Sequence, residues 1–94
     1  IKNANHDSVI VKSWIAWDNI IYTSDSDLDF RLNTQIDSLC QINLKKQLNK
    51  KEKRFFQESL SFAYNSLGII HTQKGDHVKA IDYYTKALKI KYFI

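Results

Sequence analysis

Few side chains in this sequence are of a kind that does chemistry, and each has a packing role to weigh beside it. His6, His71 and His77 are the candidates for metal ligands, yet no Cys or Glu stands at ligand spacing from them. Asp25, Asp27 and Asp29 imitate the opening of a calcium loop. Such a loop needs a central glycine and a closing bidentate glutamate, and Phe30 and Ile36 hold those two positions. A capped turn accounts for the three acids instead. Cys40 would need an adjacent histidine or cation to become a nucleophile, and it sits among Leu39, Ile42 and Leu44. As the single cysteine it forms no internal disulfide and leaves the redox compartment open. Trp14 and Trp17 could stack on a ligand, but at helical spacing they read as core. With no clustered acid, base or nucleophile, the expectation is a chain without catalytic residues, metal or cofactor.

Charge supplies one further candidate. Residues 1–44 carry three basic and six acidic side chains, whereas residues 45–94 carry eleven basic and four acidic ones. The excess lies in KKQLNKKEKR, where Lys45, Lys46, Lys50, Lys51, Lys53 and Arg54 precede Phe55 and Phe56. Such a run could hold phosphates beside stacking aromatics. It could equally be a solvated connection between helices, which its place at a helix junction favours. Arginine is scarce, only Arg31 and Arg54, and base readout leans on arginine, so any nucleic-acid binding here would be nonspecific.

The elements that position these residues are helical. At 94 residues the chain makes one small domain, and 44% hydrophobic and 13% aromatic residues are enough to fold it. It starts at Ile1 and has no methionine, which suggests a piece of a longer protein whose targeting signal could lie upstream. No run approaches the ~20 apolar residues of a membrane span. Helical periodicity runs nearly throughout, with no proline and no alternating strand pattern. A first helix is expected from about Asp7 to Tyr22 with Ile10, Trp14, Trp17 and Ile21 inward. TSDSD ends it, and the next puts Leu28, Leu32, Ile36, Leu39 and Cys40 inward. Asn49 with Glu52 three residues on forms a capping box that opens a third helix carrying Phe55, Phe56, Leu60, Tyr64 and Leu67. Gly75 supplies its left-handed cap and Asp76 caps a fourth helix, with Ala80, Ile81, Tyr84, Ala87 and Leu88 expected inward. The plan is two helical hairpins.

Gly68 is the odd residue in that plan, because an interior glycine destabilises a helix by ~1 kcal/mol relative to alanine. Close packing against the facing helix would offset it, and small Ala80 and Ala87 there serve the same end. Small Gly68, Ala80 and Ala87 interleaved with Tyr64, Leu67, Tyr84 and Leu88 resemble a tetratricopeptide repeat. The likeness covers 61–94 and runs through Tyr64, Leu67, Gly68, His71, Ala80 and Tyr84, with Gly75-Asp76 as the turn. It departs at His71, where an aromatic is usual, and at Tyr92, where a closing proline is frequent. The N-terminal half resembles a divergent, lengthened repeat. AWDNI at 16–20 matches AYNSL at 63–67 at an offset of 47, and Leu32, Ile36 and Cys40 align with Ala80, Tyr84 and Leu88 at 48. The expected division is thus a divergent repeat at 7–48 and an extended one at 49–94. The style of sequence around the lysine-rich connection also resembles the repeat regions of bacterial sensor and regulatory proteins.

The resemblance implies an all-α solenoid fragment that binds protein or peptide and carries no chemistry. Its groove positions are Phe62, Asn65, Ile69 and Thr72, with Gln73 at the rim, and the weaker register adds Asp18 and Tyr22. The family's clamp for C-terminal carboxylates needs inward Lys and Asn, and Ile69 replaces one Asn here, so a more apolar or mixed peptide surface is expected. Repeats bury their faces on neighbours. Ile90, Phe93 and Ile94 are therefore expected to be partly bare unless further repeats follow or the chain self-associates through its last helix.

Overall fold

The computed structural model describes residues 4–22 and 24–93, with side chains described for 6–22 and 24–92. It is all-α: helices α1 (Ala4–Ile21), α2 (Ser26–Leu44), α3 (Lys50–Gln73) and α4 (His77–Phe93) follow one another with short connections. Each helix packs on the next, and α3 touches all three others. None of the four is long and apolar enough to cross a membrane.

The helix ends are made by the residues that sequence chemistry assigns to them. Asp25 caps α2 by accepting the Leu28 amide at 3.0 Å. Asn49 Oδ1 accepts the Glu52 amide at 2.8 Å while Glu52 Oε1 accepts the Asn49 amide at 3.1 Å, which completes the capping box. At the end of α3, Gly75 adopts φ +82°, the Asp76 amide donates to the His71 carbonyl and the Gly75 amide to that of Thr72. That pairing closes the helix through left-handed backbone that glycine tolerates best. Asp76 Oδ1 then accepts the Lys79 amide at 3.2 Å and starts α4.

The core is built on α2 and α3: Leu32, Ile36 and Cys40 meet Phe56, Leu60, Ala63, Tyr64, Leu67 and Ile70, with Ala87 from α4 and Val11 from α1. Gly68 faces α4 as expected, but what it makes room for is the Tyr84 ring; a Cβ on residue 68 would lie 2.7 Å from Tyr84 Cε1. Ala80 and Ala87 are buried on the same interface, and Ser61 Oγ donates to the Ala87 carbonyl at 3.3 Å.

Two expected faces are turned. In α1 the buried positions are Asp7, Val11 and Asp18, with Trp14, Ile15 and Ile21 half-buried, whereas Trp17 and Ile20 are exposed. The apolar periodicity missed this face because two of its three buried residues are acids whose carboxylates bond to asparagines of α2. In α4, Ile81 and Leu88 point outward, and Tyr83 and Ile90 pack on the core in their place. Ile90 is half-buried, partly bare as expected, and the side chains of Phe93 and Ile94 lie outside the described residues.

Candidate functional site

Where α1 and α3 flank one another above the start of α2, their side chains enclose an open groove of about 230 Å³. Asp18, Asn19 and Tyr22 line it from α1 and the turn after it, Asp29 from α2, and Phe62, Ser66 and Ile69 from α3. Four of the expected groove residues, Asp18, Tyr22, Phe62 and Ile69, are thus brought to one hollow. Phe62 forms its rim with a second hollow of about 590 Å³ lined by Arg54, Glu58, Ser61, Asn65 and Lys91. Asn65 belongs to that second hollow. Thr72 and Gln73 are exposed one turn further along and line neither; Thr72 Oγ1 donates back to the Gly68 carbonyl at 2.9 Å.

The groove floor is acidic, and its walls set Tyr22, Phe62 and Ile69 beside the small polar Asn19 and Ser66. Asn33 Nδ2 lies 2.8 Å from an oxygen of both Asp18 and Asp29 and joins α1 to α2 beneath the groove. Burial, then a hydrogen bond to Asp18 and the charge of Asp18, push the Asp29 carboxyl up to about 7, against a lowering by Asn33. Sequence reading assigned Asp29 to a capped turn and missed its inward role. The available signal was Asn33 four residues on, which puts both on one face of α2. Asn19 and Ser66 were missed as well, small polar residues that periodicity leaves unmarked.

Of the other candidates, His71 and Cys40 are packed into the structure. His71 stacks on Tyr83, ring centroids 5.4 Å apart, and meets Phe30 edge-on at 6.1 Å, so it fills the position where the repeat pattern has an aromatic. His6 and His77 are exposed, and no group of three metal-binding side chains occurs among the described residues. Cys40 is fully buried, and that burial, with the charge of Asp37, pushes its thiol up to about 12, the reverse of nucleophile activation.

The basic run divides at the α2–α3 connection. Lys45 caps α2, and Lys46 Nζ lies 3.1 Å from Asn43 Oδ1 and 3.8 Å from Asp7 Oδ2. Lys50, Lys51 and Lys53 are exposed at the first turn of α3, and Arg54 pairs with Glu58 at 3.3 Å.

No curated protein and no solved structure matches the chain. The family model described as tetratricopeptide repeat matches residues 61–91, the α3–α4 hairpin with Gly68 against Tyr84 and Gly75 at its turn. Over those residues, about a third of the chain, the protein is similar to the tetratricopeptide-repeat family.

Proposed function

We propose that the chain is a noncatalytic scaffold that binds a protein or peptide segment in the groove between α1 and α3. The observation that carries this reading is the convergence of Asp18, Tyr22, Phe62 and Ile69 on one open hollow. Repeats of this family hold partners rather than transform them, and an aromatic and aliphatic wall above a polar floor suits an extended peptide with alternating side chains. Asn65, with Arg54 and Lys91, would continue the contact into the second hollow, while Thr72 and Gln73 would serve as outer rim. In the same reading 7–48 and 49–94 act as two repeat units within a bacterial signalling or regulatory protein. What supports that setting is the style of the sequence.

Nonspecific nucleic-acid binding through Lys45 to Arg54 is the alternative. The ion pairs of Lys46 with Asp7 and Arg54 with Glu58 reduce the charge that this run can offer to phosphates. An affinity capture from the source lysate separates the two. A protein retained by the wild type and by a Lys50/Lys51/Lys53→Gln variant, but lost with Ile69→Glu, supports the groove. Nucleic acid retained by wild type and Ile69→Glu alike, and released by salt, overturns it.

A further inference from the structure

The antiparallel pair α1/α2 is held by two buried polar clamps of similar build and different compensation. In one, Asn43 Nδ2 donates to Asp7 Oδ2 at 2.7 Å, and Lys46 lies 3.8 Å from that oxygen. In the other, Asn33 Nδ2 contacts Asp18 Oδ1 and Asp29 Oδ1 at 2.8 Å and the Asp29 carbonyl at 2.9 Å. Asp18 is 3% exposed, Asp29 4% and Asn33 0%. Among the described residues no lysine or arginine forms an ion pair with either acid. Asn33 Oδ1, buried in the same cluster, is an acceptor with no donor.

A buried carboxylate pair without a cation is costly, and the free protein meets that cost by keeping Asp29 protonated to near neutral pH. The walls add Tyr22 and Phe62, whose ring faces suit a cation, and Ile69, which suits an aliphatic stem. We propose that Asp18, Asp29 and Asn33 form the seat for one cationic side chain, an arginine or lysine flanked by apolar residues, of the peptide bound in the groove. The inference rests on the groove reading and names the chemistry of its partner. Binding releases one proton, from the Asp29 carboxyl to solvent, as the cation replaces it. The ionisable groups facing the seat are Asp18 and the Tyr22 hydroxyl from the α1 side and Asp29 itself from α2. The α3 wall of Phe62, Ser66 and Ile69 has none.

The test exposes the 94-residue chain to an array of random decapeptides and measures the tightest binder in solution by fluorescence anisotropy, with its basic residues intact or replaced by glutamine. We expect bound peptides to be enriched in Arg or Lys beside apolar residues, and the glutamine version to bind about tenfold or more weakly. Asp29→Asn should remove that difference. With Asp29 titrating near 7, wild-type affinity for the basic peptide should tighten about tenfold from pH 6 to pH 8, and that for the glutamine version should not change. This pH profile keeps the test decisive should Asp29→Asn lose its helical circular dichroism. Absence of basic enrichment, or of the pH effect, while Ile69→Glu still abolishes binding, overturns the seat and leaves the groove standing. Undiminished binding by Ile69→Glu, or an array that captures nothing, overturns both.

Discussion

At position 68 an added Cβ would come within 3.0 Å of three Tyr84 ring atoms, closer than carbon atoms approach without one of them moving. Alanine should gain ~1 kcal/mol in helix propensity there, and forcing an ordered ring aside should cost about 1–3 kcal/mol. We therefore expect Gly68→Ala to destabilise the wild type by about 1 kcal/mol in urea unfolding and to stabilise a Tyr84→Ala background by a similar amount. A loss of equal size in both backgrounds would remove Tyr84 as the reason for the glycine. The need for a small residue at 68 was legible in the sequence. Its partner was not, because spacing tells which helix face a residue occupies but not which rotamer the opposite side chain takes. His71 shows the same limit: the pattern marks an aromatic slot, and only the stack on Tyr83 shows that an imidazole fills it.

Helix boundaries are written in local chemistry, so the α3–α4 hairpin was readable almost to the residue. Asn49, Glu52, Gly75 and Asp76 each act within a few residues of themselves. Asn49→Ala should lower stability by about 1 kcal/mol, seen as a lower urea midpoint at unchanged slope. Docking of α1 on α2 is a different matter, since it depends on buried acids that a hydrophobic pattern treats as surface. That is why Phe62 and Ile69 in the groove's walls could be taken from the repeat pattern while Asp29 on its floor and Asn33 beneath it could not. The same acids make this contact sensitive to pH. Asp29 holds its proton to about 7 when folded and 3.8 in its ordinary state, so the folded chain binds more protons between those values. The stabilisation is complete below 3.8 and lost as pH rises to about 7. Unfolding midpoints measured from pH 4 to pH 8 should fall over this window, and Asp29→Asn should flatten the fall. A wild-type profile as flat as that of the variant would show that Asp29 ionises freely in the folded state.

Across the described residues the burial is uneven: α3 packs against all three other helices, and α4 keeps an apolar outer face. Val78, Ile81, Leu88 and Tyr92 are each more than half exposed, with Thr85 between them. Positions 78, 81, 85, 88 and 92 follow the alternating three-and-four spacing by which one helix lays a seam on another. A seam of this kind loses ~25 cal/mol for every Å² of apolar surface left in water, so a second helix against it is favoured. We expect the chain to associate through this face, with a sedimentation coefficient that rises with concentration. A variant carrying Ile81→Glu and Leu88→Glu should sediment as a monomer and unfold at the urea midpoint of the wild type diluted until it too is monomeric, because neither side chain contributes to the core. A wild type that stays monomeric at high concentration would show that exposure and spacing alone do not bring two copies of α4 together.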